Sequence, residues 1–321
     1  MIARFLAPLA CAFAATCALA QPQIPPLPNT LTNAAPAGAV YLSPGVKPDL
    51  AFGAIQRGYF GTALREAMKR IEADPGDGAA MTIMGELYRD GLGVRTDLAE
   101  AARWYKLAAD RGDPQGAYAL ALAYLQARGV NEDRVAGRAL LEKAAAAKHT
   151  GALYNLGLMA AEEKSPDFRA AAGYFQRAVD LGNMDAAYAL ALLYKEGRGV
   201  AQDLKKSVAL LRRAAAEHII AAEVELGVAY FKGEGVEQNE SLAASYFRRA
   251  ATANNPIAGN RLARILAAGR GVQRDIVEAM KWHVLARTAG VADEWLDSQM
   301  ATLTPRERLE VDEAVKKHVG P

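Results

Sequence analysis

The chain has 321 residues, 51% of them hydrophobic and 23% charged, which is long enough for two globular domains or one extended array and too apolar for disorder. Its 38 basic and 36 acidic residues nearly cancel, which argues against a nucleic-acid or anionic-membrane surface, since both need dense positive charge. Beyond the N-terminus no apolar run approaches the ~20 residues that span a bilayer.

The first element is MIARFLAPLACAFAATCALA. Arg4 precedes an apolar run from Phe5 to Leu19, and Ala18-x-Ala20 predicts cleavage of a secretory signal (residues 1–20) before Gln21. A lipoprotein signal using Cys11 or Cys17 is the rival, although Cys11 comes too early for a full apolar segment and Thr16 is a poor neighbour for a lipidated cysteine. The chain has no cysteine outside this segment. A mature protein, periplasmic or secreted, is therefore expected to lack both disulfides and thiols. Residues 21–48 carry seven of the 14 prolines and read as an extended linker, either a spacer or a proline-rich ligand. Residues 49–77 read as a shorter helix pair that caps the N-terminal end of a longer helical array.

From 78 onward a loop recurs: GLGV at 91, ARGV at 127, GRGV at 197, GEGV at 233 and GRGV at 269. Its valines, Val94, Val130, Val200, Val236 and Val272, fall 36, 70, 36 and 36 residues apart, and the 70 is two units with two residues deleted. In the unit between, EEKSPDF replaces the loop. This periodicity predicts six helix pairs at 78–113, 114–149, 150–183, 184–219, 220–255 and 256–290, too small to fold singly and stacked as a solenoid.

Each column of the repeat has an expected task. Ala80, Met84, Leu87 and Tyr88 form one apolar stripe on the first helix. Gly85, Ala121, Gly157, Ala191, Gly227 and Ala263 are always small, which implies a helix packed too close for a larger side chain, because glycine costs ~1 kcal/mol inside a helix. The paired column Trp104-Tyr105, Leu140-Leu141, Tyr174-Phe175, Leu210-Leu211, Tyr246-Phe247 and Trp282-His283 fills the space left open. The first loop glycine is expected in the left-handed conformation at a helix end. Asp97, Asp133, Asp167, Asp203, Asn239 and Asp275 are expected to cap the second helices, with Glu100 and Glu278 completing capping boxes. A phosphate-binding loop would follow a strand and end in Gly-Lys-Ser/Thr, and neither condition is met. Residues 291–321 read as capping helices, the last opened by Thr304, Pro305 and Glu307 and running to about Lys317.

Together, Leu/Met-Gly-x-x-Tyr, Gly-x-Gly-Val-x-x-Asp and Ala-x-x-Trp-Tyr-x-x-Ala-Ala at 36-residue spacing resemble the Sel-one-like repeat family, relatives of tetratricopeptide repeats. The resemblance covers about 78–290. It implies an all-α, α/α right-handed superhelical solenoid used as an adaptor, with partners often held on the concave side. Secreted bacterial members share an export signal. Some members carry a disulfide in each repeat; this chain lacks those cysteines, so antibiotic binding or hydrolysis is not carried over from them.

No catalytic, cofactor or metal site is expected. His149, His218, His283 and His318 lie in different units or beyond them, without His-x-x-x-His spacing, and the first two sit where a helix end would be capped. Ser-x-x-Lys and Gly-x-Ser-x-Gly are both absent. The candidate partner-binding residues lie in two first-helix columns outside the packing stripe. One holds Thr82, Tyr118, Tyr154, Tyr188, Val224 and Asn260; the next holds Ile83, Ala119, Asn155, Ala189, Glu225 and Arg261. Tyr118, Tyr154, Asn155, Tyr188, Glu225, Asn260 and Arg261 are expected to line a groove for a peptide or protein, unless the tyrosines pack between units. The function expected is a noncatalytic scaffold in the bacterial envelope. The alternatives are a carbohydrate or peptidoglycan binder using the tyrosine faces, and a cell-wall or antibiotic hydrolase.

Overall fold

The computed structural model describes residues 49–162 and 165–320. The signal and linker fall on residues 1–48, outside the described residues. Among the described residues there are sixteen helices and no strand. They are α1 (Leu50–Gln56), α2 (Phe60–Ala73), α3 (Gly78–Asp90), α4 (Leu98–Asp110), α5 (Pro114–Leu125), α6 (Arg134–Ala146), α7 (Thr150–Glu162) and α8 (Phe168–Asp180). They continue with α9 (Met184–Glu196), α10 (Leu204–Ala216), α11 (Ile220–Lys232), α12 (Glu240–Thr252), α13 (Pro256–Ala268), α14 (Ile276–Thr288), α15 (Glu294–Ala301) and α16 (Pro305–Val319). From α1 to α14 each helix packs mainly on its sequence neighbours, which is the contact pattern of an α/α solenoid, whereas α16 skips α15 and packs on α14.

The predicted small column works by size matching. A Cβ built on Gly85, Gly157 or Gly227 would stand 2.4, 2.4 and 2.5 Å from the rings of Tyr105, Phe175 and Phe247. Where the second helix instead offers Leu141, Leu211 or His283, the equivalent small residue is Ala121, Ala191 or Ala263, and all six of these are buried. Glycine faces a large ring, and alanine takes the column where the second helix offers a smaller side chain, so bulk on one helix is matched by its lack on the other.

The loop glycines divide their work. Gly91, Gly197, Gly233 and Gly269 end first helices at φ between 67° and 74°, and Ala127 takes the same role at φ 52°. The second glycine faces backbone. A Cβ on Gly93, Gly129, Gly199, Gly235 or Gly271 would come within 2.0 to 2.9 Å of the first residue of the preceding unit's second helix, at Phe60, Leu98, Phe168, Leu204 or Glu240. This glycine is an inter-repeat contact, and its neighbour at Phe60 shows that the N-terminal pair α1–α2 is engaged as a repeat would be. The loop valines Val130, Val200, Val236 and Val272 are half-buried against the same core.

All six predicted Asp or Asn caps accept from the first free amides of their helices. The boxes expected at Glu100 and Glu278 do not form. The Asp97 and Asp275 amides that a box would use already donate to the carbonyls of Tyr88 and Leu266, at 2.9 and 3.1 Å. Glu100 instead accepts from Arg103 and Glu278 from Arg248, at 2.8 and 3.2 Å. Only at Thr304, whose amide donates to Glu307 at 2.8 Å, is the box complete among the described residues.

A basic column completes the joints. Lys143 donates to the Ala109 carbonyl, and Arg177, Arg213 and Arg249 donate to Ala145, Val179 and Ala215 at 3.3, 3.3 and 3.4 Å. Each cation reaches the end of the preceding second helix, where the helix dipole favours positive charge and the carbonyl, already accepting one loop amide, has a second lone pair to offer.

Candidate functional site

Three members of the first candidate column, Thr82, Tyr118 and Asn260, reach across the joints between repeats. The Tyr118 ring stacks on His149 at 4.4 Å between centroids, and its hydroxyl accepts from Asn155 Nδ2 at 3.2 Å. Asn155 belongs to the next repeat, and His149 stands at its threshold, where Nδ1 caps α7 by accepting from the Ala152 amide at 3.1 Å. Thr82 Oγ1 donates to Asp113 at 2.6 Å, and Asn260 Nδ2 donates to Asp293 at 2.9 Å, again to the residue capping the next first helix. Tyr154 lies 5.9 Å from the Phe175 ring inside its own repeat. Tyr118, Tyr154 and Tyr188 are each half-buried, so one part of each ring is committed to packing and the rest is open.

Burial raises the pKa of the Tyr118 hydroxyl, against the opposing hydrogen bond from Asn155. Burial, with the carboxylates of Glu225 and Glu196 adding to it, pushes Tyr188 up to about 12. Burial also lowers the pKa of His149, opposed by the Asp113 carboxylate. The Tyr118 and Tyr188 hydroxyls and the His149 ring therefore stay neutral near pH 7. Asp293 behaves oppositely: burial works to raise it, yet the Asn260 amide, the Leu296 amide and Arg264 outweigh burial and hold it below the ordinary carboxylate range.

The second column separates along the chain. Ile83 and Ala189 are buried, Ala119 and Asn155 half-buried, and Glu225 is paired with Lys195 of the previous first helix at 2.7 Å. Arg261 is exposed. One turn on from the tyrosines, Leu122, Leu158 and Leu192 are half-buried on the same side of their helices, and Val228 is buried at the equivalent place. Sequence reasoning misses these leucines, because single apolar residues near a packing stripe look like part of it.

A cavity of about 390 Å³ opens beside α11 and α13, in the last two repeats. Its walls are Val228, Phe231, Phe247, Ile265, Ala268 and Trp295, and its cations are Lys232, Arg261, Arg264 and Arg270. The structure thus joins Arg261 to residues of α11, α12, α13 and α15. Tyr118, Tyr154, Asn155 and Tyr188 lie in earlier repeats and take no part in it. The described residues contain no group of three His, Cys, Asp or Glu side chains placed to hold a metal. His283 is buried with Nε2 2.8 Å from Asp297, and His318 meets the Trp282 ring edge-on.

The Sel1 repeat pattern matches six consecutive segments, at 78–113, 114–149, 150–183, 185–218, 220–255 and 256–291. The chain belongs to the Sel1 repeat family. A Sel1 repeat protein from Oxalobacter formigenes superposes with a TM-score of 0.66 at 23% identity, over 77% of this chain and all of that one. The protein c5321, a protective antigen of uropathogenic Escherichia coli with the same repeat fold, superposes with a TM-score of 0.55 at 26% identity, over 81% of this chain and 64% of that one. Sel1 repeats generally serve as protein-interaction scaffolds, and no helix among the described residues is long and apolar enough to cross a membrane. Within the six Sel1 repeats, the packing columns recur almost unchanged while the outward columns differ from unit to unit.

Proposed function

We propose that this Sel1 repeat chain is a noncatalytic scaffold that holds a peptide or protein on the face formed by its first helices. It would do so in the periplasm or outside the cell, after removal of residues 1–20. The observation that carries the reading is the run of half-buried Tyr118, Leu122, Tyr154, Leu158, Tyr188 and Leu192 along three successive first helices. Partly exposed aromatic and leucine side chains on a rigid frame offer contact area at low ordering cost.

A photo-cross-linking amino acid at Leu122, Leu158 or Leu192 tests the face, with second-helix sites at Lys106 and Val135 as controls. Protein adducts formed in intact cells at the first-helix sites and not at the controls support the scaffold. Adducts confined to the controls would reverse the choice of face, and adducts to glycan strands alone would make this a carbohydrate binder. N-terminal sequencing of the mature chain, expected to begin at Gln21, checks the export step.

A further inference from the structure

The cavity at the C-terminal end combines an apolar interior with a cationic mouth. Phe247 and Ile265 are buried in its walls, while Trp295 is 38% exposed. Three of the four cations already have partners. Arg264 Nε lies 3.3 Å from Asp293 and its guanidinium 5.3 Å from the Trp295 ring; Lys232 lies 3.3 Å from Glu234. Arg270 pairs with Glu240 and stacks 4.2 Å over Phe231. Arg261 has neither a carboxylate nor a ring partner among the described residues, and no acidic side chain lines the cavity. A planar guanidinium with free donors at the rim of an apolar pocket matches one carboxylate placed beside one bulky apolar group.

We infer that this cavity is an anchor site for an acidic peptide segment carrying a large apolar side chain, which enters between α11 and α13 against Trp295 while a neighbouring carboxylate meets Arg261. The volume falls within the ~300–1,000 Å³ of small-ligand pockets, enough for one bulky side chain and its flanking backbone. Because Arg261 is exposed, the attraction is screened by salt, and affinity falls as ionic strength rises. The assignment rests on the scaffold reading and adds the chemistry and place of one contact.

The test is titration of the full chain with the acetylated, amidated peptide Asp-Glu-Phe-Asp-Glu, followed by calorimetry and tryptophan emission. Saturable binding is expected, with an emission change that disappears in Trp295→Phe. Arg261→Glu should weaken binding at least tenfold with unchanged helical circular dichroism, and Arg261→Lys should retain most of it. Replacing the peptide's Phe by Ala, or its acids by Asn and Gln, should each cost at least tenfold. Absence of saturable binding, or equal affinity for Arg261→Glu, would overturn the site; phenylpropionate binding as tightly as the peptide would make it a small-molecule pocket. Should protein adducts at Leu122, Leu158 and Leu192 persist in Arg261→Glu while the peptide fails to bind the unaltered chain, the anchor is wrong and the scaffold stands. Loss of those adducts from the unaltered chain would remove the scaffold itself.

Discussion

Repeats one, three and five differ from repeats two, four and six at one seam. The first set puts glycine opposite a large aromatic ring, Gly85 with Tyr105, Gly157 with Phe175 and Gly227 with Phe247; the second puts alanine opposite Leu141, Leu211 or His283. Second helices of both sets are 13 residues long and open on an Asp or Asn cap, so the fold specifies the combined size of a pair and leaves its division open. The loop's second glycine shows the contrary case. Its neighbour is backbone, which cannot be resized, and all five loops that retain the motif keep glycine there.

That contrast sets the largest expected effect. In Gly199→Ala the new Cβ would meet the Phe168 backbone at 2.2 Å on a residue held at φ +72°, so clash and strain together should cost on the order of 3 kcal/mol. Gly197→Ala, at the position where repeat two already uses Ala127, should cost only about 1 kcal/mol. Urea unfolding of the two variants checks the difference, and equal losses would mean that the inter-repeat backbone contact is unimportant.

Next in size are two helical glycines of repeat three with opposite expected signs. Gly157→Ala drives a methyl into the Phe175 ring and should destabilise by about 1–2 kcal/mol, since overpacking outweighs the gain in helix propensity. A Cβ on Gly173, in the second helix of the same hairpin, meets nothing within 4 Å; Gly173→Ala should therefore stabilise by about 0.5–1 kcal/mol. Thermal melts of the two variants should shift in opposite directions.

The smallest expected effect separates the repeats by their caps. Repeat three is capped by His149, while repeat four uses Asn183 in the same role. Burial lowers the folded-state pKa of His149 below its ordinary 6.5, with Asp113 opposing. The unfolded chain therefore takes up the proton first: stability is complete above that value and is lost as the pH falls from it toward the folded-state pKa. His149→Asn should keep the cap and flatten this part of the pH–stability profile. A profile unchanged by the substitution would show that His149 is not the titrating group.

Much of the architecture is legible in the residues because the packing columns repeat. Gly85, the loop glycines and Asp97 carry local conformational rules that act wherever they occur. The basic column of Lys143, Arg177, Arg213 and Arg249 is equally visible but reads as solvated charge until the preceding helix end is placed beside it. Glu100 misleads because a capping box is a local pattern, and the Asp97 amide is taken by the Tyr88 carbonyl across the loop. The cavity around Arg261 is illegible for a related reason: it unites Phe231, Phe247, Arg264 and Trp295 from four helices, and only the stacking of repeats brings them together. Tyr118 carries a signal for both packing and exposure, and the structure gives its ring some of each.

The central claim is that the two helices of each hairpin close on one another through size-matched pairs, and a double-mutant cycle at Gly157 and Phe175 tests it most directly. Gly157→Ala and Phe175→Leu should each destabilise the chain alone, by overpacking and by a void respectively. Together they recreate the Ala191–Leu211 seam of the next repeat, so urea unfolding should show the double variant at least about 1 kcal/mol more stable than the sum of the single losses. Strictly additive losses would contradict the account.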